Sequence, residues 1–219
     1  YADQCQADRQ RAIASFRKRF WYEQGGYLYD VIDGPEGNDA ALRPNQLYAI
    51  SLGKDLVPRD HAQHILRLVK KQLVTPVGLR TLSPDDPHYR PRYEGGGPER
   101  DRAYHQGTVW PFLLGPLVTA WIKSFGRNAT SRSEARGFLN GLDAHLSEGC
   151  LGQVSEIFEA EAPHHPRGCF AQAWSVAEPL RALIEDLGVS ADTVRPIKTA
   201  IIRRQRPPRA QRSSSSPTR

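Results

Sequence analysis

Between Gly152 and Leu187 the hydrophobic period of the chain changes once, and that change limits the possible folds more than any other stretch. The run GQVSEIFEAEAPHHPRGCFAQAW opens as a polar, extended-looking segment carrying three carboxylates, Glu156, Glu159 and Glu161. Pro163, Pro166 and Gly168 then exclude regular structure for several residues. After Cys169, Ala173, Val176, Ala177, Leu180, Leu183, Ile184 and Leu187 recur at helical i, i+3, i+4, i+7 spacing. The spacing predicts a last helix that begins near Cys169 and bends at Pro179, whose ring removes a bond toward Ser175. A carboxylate-bearing loop anchored on the N-terminus of a buried helix is one way to build a glycoside or phosphate site. A merely solvated acidic loop has the same spacing, so the pattern alone leaves both readings open.

The preceding residues read as helices separated by long loops. Ile13, Phe16 and Phe20 form the stripe of a first helix over about Asp3 to Phe20, and Gly25-Gly26 breaks it. Tyr27, Tyr29, Val31 and Asp33 follow in a brief extended segment. Pro44 suits the first position of a short helix through Leu52. Pro58 opens another helix, marked by Ala62, Ile65, Leu66, Val69 and Leu73. From Thr75 to Tyr104 the turn signals are dense, with Asp85-Asp86 between Pro84 and Pro87, and a long loop is expected. Loops of that length inside compact domains are functional or disordered, and Arg80, Tyr89, Arg92 and Tyr93 favour the functional case. The run HQGTVWPFLLGPLVTAWIKSFG is the most apolar, with Pro111 in a first turn and a kink expected at Gly115-Pro116. Ser131 and Glu134 read as a capping box ahead of Ala135, Phe138, Leu139, Leu142 and Leu146, with Gly149 at the C-cap. About six helices joined by alternating short turns and long polar loops fit half of a toroidal helical barrel better than a bundle.

Charge distribution bears on partners. The net charge is +6, yet Arg195 to Arg219 alone hold seven Arg and one Lys with no carboxylate, so the body before them is mildly acidic. A basic tail on an acidic body argues against a nucleic-acid footprint. The tail, Pro- and Ser-rich, is expected to be disordered, so the chain divides into a folded part, 1–190, and a tail, 191–219. No run approaches the roughly 20 apolar residues that span a bilayer. Cys5, Cys150 and Cys169 lack CxxC spacing and read as reduced, buried thiols of a cytoplasmic protein. His164, His165 and Cys169 lack a second ligand pair with finger-like spacing, so no metal is expected. A chain that begins at Tyr1 and contains no Met is expected to be a fragment.

Three blocks carry a family resemblance: LRPNQLYAISL, GLRTLSP with RDRAYHQGTVWPFLLGP, and GQVSEIFEAEAPHHPRGCFAQAWSVAE. In order and spacing the chain resembles the C-terminal part of the amylo-α-1,6-glucosidase domain of glycogen debranching enzymes. The resemblance implies an all-α fold, the C-terminal half of an (α/α)6 toroid. It also implies hydrolysis of α-1,6-linked glucose stubs on glycogen or a branched α-glucan, with no cofactor. Such hydrolysis uses a general acid and a base that activates water, and about 6.5–9.5 Å between them gives inversion.

By the same resemblance Glu156 matches the base. The family's acid lies in a Trp-Met-Asp motif, absent from a sequence without Met, so the missing N-terminal part of the enzyme is the expected partner. Without its acid, a loss of about 10²–10⁴ is expected, leaving this chain inactive alone. Two departures from the family stand out: Glu159-Ala160-Glu161 where Asp-Gly-Asp is usual, and Pro179 in the last helix.

Sugar contacts are assigned to Arg43, Asn45, Gln46, Arg80, Tyr104, His105, Gln106, Trp110, Gln172 and Trp174. Seven of these have a plainer reading: helix capping for Arg43, Asn45 and Gln46, an ion pair for Arg80, a structural histidine for His105, core packing for Trp110 and Trp174. Two other functions stay open, a non-catalytic carbohydrate-binding remnant and a helical-barrel α-glycosidase with another substrate.

Overall fold

The computed structural model describes residues 1–190, and Tyr1–Val189 form one compact unit. The expected basic tail, 191–219, lies outside the described residues.

Helix α1 (Ala2–Phe20) buries only Ile13, and its Phe16 and Phe20 rings stack at 4.6 Å. Two small hairpins follow, β1 (Trp21–Tyr22) with β2 (Tyr27–Leu28) and β3 (Val31–Gly34) with β4 (Gly37–Asp39). Helix α2 is Gln46–Ser51, starting later than Pro44 predicts, because Pro44 and Asn45 form a turn in which Leu47 N–H donates to Pro44 O at 2.9 Å. Helix α3 (Arg59–Gln72) buries Ala62, Ile65, Leu66 and Val69, the stripe read from the sequence. Truncating one of these, as in Ile65→Ala, removes about 2–5 kcal/mol.

The expected long loop contains β5 (Val74–Thr75), β6 (Gly78–Arg80) and a helix, α4 (Gly97–Ala103). After β7 (Val109–Trp110), Pro111–Leu113 make one 3-10 turn leading into α5 (Leu114–Phe125). Gly115-Pro116, where a kink is expected, falls in the first turn of α5, directly after that 3-10 turn. Helix α5 buries residues around its whole circumference and packs against α2, α3, α6 (Ala129–Gly137) and α8 (Ala173–Arg181), so it forms the centre of the core. Asn128, not Ser131, caps α6, accepting Ser131 N–H at 3.0 Å. The stripe from Ala135 to Leu146 is divided between α6 and a short α7 (Asn140–His145).

Strands β8 (Ile157–Phe158) and β9 (Pro166–Arg167) complete a five-stranded antiparallel sheet, order β5-β6-β7-β8-β9. The sheet lays the acidic segment against the Val109–Trp110 strand, since Val109 pairs with Phe158. Helix α8 starts at Ala173, four residues after Cys169, because the backbone of 169–172 is bonded sideways. Glu156 N–H donates to Cys169 O at 2.8 Å, and Gln172 N–H to Val154 O at 2.9 Å. Pro179 lies inside α8, and beyond Arg181 the helix widens into a π turn, Ala182–Asp186. All three cysteines are free, but Cys5 and Cys169 are exposed and Cys150 is half-buried, so none is buried as expected. Among the described residues no helix is long and apolar enough to cross a membrane.

Candidate active site

The loop after α4 and the start of α8 bring the aromatic residues together. Trp110 is buried, its indole N–H donating to Tyr104 O at 3.1 Å. The Tyr104 ring meets Trp110 edge-on at 4.8 Å and His105 at 4.7 Å, while His105 lies parallel to Trp110 at 5.4 Å. Trp174, 44% exposed, stacks on Phe112 at 4.5 Å and meets Trp110 edge-on at 5.7 Å. His105, Trp110, Phe112 and Trp174 face a cavity of about 230 Å³ that Arg43, Asn45, Tyr48 and Thr81 also line. Burial and the nearby Arg43 hold the His105 imidazole below its usual pKa, which favours the neutral ring.

Arg43 is held from several sides. Its guanidinium donates to Thr81 O at 3.1 Å, His105 O at 2.6 Å and Gln106 Oε1 at 2.8 Å, and its Nε lies 3.5 Å from Asp30. Asn45 donates to the other Asp30 oxygen at 2.8 Å. Asp30 therefore ties two cavity residues to the first hairpins, a role that no sequence signal announced. Gln46 is 7% exposed, donates to Arg43 O at 3.0 Å and accepts Leu28 N–H at 3.3 Å, so it braces the wall from behind.

Glu156 adjoins this cavity without lining it. Tyr104 donates its hydroxyl to Glu156 Oε1, and Cys169 N–H donates to Oε2 at 2.9 Å. Gln172, at the N-cap of α8, is a further side-chain donor close to this carboxylate. Burial alone would raise the Glu156 carboxyl, but the Tyr104, Cys169 and Gln172 hydrogen bonds prevail and hold it below its usual pKa. The same contact, after burial, pushes the Tyr104 phenol well above its usual range.

The neighbouring carboxylates are otherwise occupied. Glu159, 2% exposed, accepts Arg167 at 2.7 Å with Arg92 at 3.6 Å. Glu161 accepts the Tyr89 hydroxyl at 2.7 Å and lies 3.8 Å from Arg80. Burial, with that hydrogen bond, raises Tyr89 to about 12. Among the described residues Glu156 makes no ion pair. The structure thus gathers Arg43, Asn45, His105, Trp110 and Trp174 around the cavity and links Tyr104, Gln172 and Glu156 behind them. Arg80 stands apart, bonded to Tyr89 Oη at 3.1 Å and to Gln72 O at 3.4 Å. Tyr48 and Phe112 were not anticipated, although each falls within a motif block already singled out.

Comparison with known proteins follows the same lines. Residues 3–181 match the family model described as amylo-alpha-1,6-glucosidase. Over 94 residues the chain is 36% identical to the glycogen debranching enzyme of Saccharomyces cerevisiae, a match covering 40% of this chain and only 6% of that enzyme. Its fold resembles neutral trehalase from Saccharomyces cerevisiae with a TM-score of 0.55 at 15% identity, over 78% of this chain and 28% of the trehalase. It also resembles the mannosylglycerate hydrolase of Thermus thermophilus, solved in complex with glucose, with a TM-score of 0.51 at 16% identity. That match covers 75% of this chain and 35% of the hydrolase. The fold is that of the (α/α)6 barrel glycosidases, of which this chain spans a part.

Proposed function

The chain belongs to the amylo-α-1,6-glucosidase family of glycoside hydrolases, and on that premise we propose that Glu156 is the catalytic base for removing α-1,6-linked glucose from a branched α-glucan. One observation carries the reading: Glu156 is held ionised by hydrogen-bond donors instead of by an arginine. An ionised carboxylate free of cationic partners can take a proton from water, whereas one locked to a guanidinium is a poor acceptor. The cavity of about 230 Å³ is below the usual range for drug-sized ligands, roughly 300–1,000 Å³, and suits a single sugar ring.

Trp174 and Phe112 offer an apolar platform for the sugar face, and Asn45 and His105 offer polar contacts to hydroxyls. Arg43, Gln46 and Gln106 shape this wall, and Gln172 and Tyr104 orient the base. In this reading the general acid comes from a segment with the Trp-Met-Asp motif, so the 219-residue chain alone releases no glucose. Water delivered to the face opposite the acid gives inversion.

The test measures glucose release from a branched limit dextrin by the polypeptide in which this sequence naturally occurs. Glu156→Gln should lower release by about 10²–10⁴ while leaving dextrin binding intact, and the product should appear first as the β-anomer. Release at the parental rate by that variant would remove Glu156 from the chemistry.

A further inference from the structure

A second cleft, of about 620 Å³, lies between the end of α2, the loop before α3, the start of α3 and the last turn of α5. Its lining includes four cationic side chains, Arg17, Lys54, Arg59 and Lys123, against one carboxylate, Asp55. That carboxylate is already taken by Arg9 at 3.3 Å. None of the four cations forms an ion pair among the described residues.

Three of them are aimed by backbone carbonyls. Arg17 donates to Leu56 O at 3.1 Å and to Asp55 O at 2.6 Å. Arg59 donates through Nε to Ser124 O at 2.9 Å, and Lys123 donates to Ser51 O. A carbonyl orients a cation but does not neutralise it, and both terminal nitrogens of Arg59 keep donors with no acceptor among the described residues. Cations on a solvated face would stand free and apart. Here three of the four are pinned around one concavity, where a shared anion relieves their mutual repulsion. The first turn of α3, with Pro58 as an N-cap that offers no side-chain acceptor, opens on the same cleft, and Asp60 in that turn offsets its partial positive charge.

We propose that this cleft binds a phosphate-class oxyanion, free or carried as a phosphomonoester on a small ligand. The volume falls within the roughly 300–1,000 Å³ of small-molecule sites, and guanidinium forks with ammonium groups match the several acceptors of a phosphate. The cleft shares no lining residue with the cavity at Trp110, so the proposal stands whether or not Glu156 is a base.

The test is isothermal titration calorimetry of the 219-residue chain with inorganic phosphate and, separately, glucose 6-phosphate, at an ionic strength fixed with sodium chloride. Saturable binding is expected, weakened about tenfold or more in Arg59→Gln/Lys123→Gln, the equivalent of one lost charge-assisted hydrogen bond. Tighter binding of glucose 6-phosphate assigns the site to a phosphorylated sugar, and equal affinity assigns it to free phosphate. Because Arg59 and Lys123 also hold helix-end carbonyls, Lys54→Gln provides a second arm. The Lys54 ammonium makes no ion pair among the described residues, so its loss should weaken binding several-fold without shifting the melting temperature. Absence of saturable heat, or equal affinity in all variants, overturns the proposal.

Discussion

The Tyr104 hydroxyl donates to Glu156 Oε1 while the Tyr104 ring packs against Trp110 and His105, so one side chain couples the proposed base to the cavity wall. Tyr104→Phe keeps the ring and deletes only the donor. The Glu156 carboxyl should then titrate at a higher pH, which carboxyl-detected NMR of the chain reads directly. In the active polypeptide the turnover rate should fall about tenfold, the kinetic equivalent of one charge-assisted hydrogen bond. An unmoved carboxyl titration would show that the contact is not felt by Glu156.

The same carboxyl links stability to pH. Burial would raise it, yet hydrogen bonding from Tyr104, Cys169 and Gln172 leaves it below its ordinary 4.5. A depressed folded-state pKa contributes stability that is present above the unfolded value and disappears as pH falls through the folded one. The melting-temperature difference between the chain and Glu156→Gln should therefore be flat near neutrality and shrink only below pH 4.5. A difference that grew on acidification would contradict the sign.

Gly168 is required where it stands. Its φ of +65° is a left-handed conformation, and a Cβ there would collide with Glu156 Oε2 and come within 3.1 Å of Ile157 Cγ1. Gly168→Ala combines both penalties, about 1–3 kcal/mol from the backbone alone, and displaces the Glu156 carboxylate. Denaturant melts should show that loss, and the NMR signal of the Cys169 amide should shift as its bond to Glu156 breaks.

Legibility in the sequence followed the length of each pattern. Helix α3 is readable because its four buried residues repeat over about two turns. The five-stranded sheet is not, since strands of two or three residues cannot display an alternation. Helix α4, GPERDRA, buries only Ala103, so no apolar stripe marks it, although Pro98 in its first turn was a usable start signal. Local spacing puts the start of α8 too early because the residues around Cys169 satisfy their backbone groups across the chain, a long-range choice that it does not encode. At the site, the motif blocks pointed to the cavity residues but not to Asp30, whose importance comes from reaching Arg43 and Asn45 in space.

The two tryptophans of the cavity should separate binding from folding. Trp110 is 3% exposed and hydrogen-bonded, so Trp110→Ala leaves a void in the core and should cost about 3–5 kcal/mol. Trp174 is 44% exposed and gains little from folding beyond its stack on Phe112 and its edge contact with Trp110, so Trp174→Ala should cost about 0.5–1.5 kcal/mol. If its open face is the sugar platform, the effect of Trp174→Ala appears instead in affinity, about tenfold for an α-1,6-linked glucose disaccharide. Denaturant melts of both variants and calorimetric titration of Trp174→Ala with isomaltose measure the two quantities independently. An unchanged affinity in Trp174→Ala would leave the ring as packing for Phe112 and move the sugar platform elsewhere in the cavity.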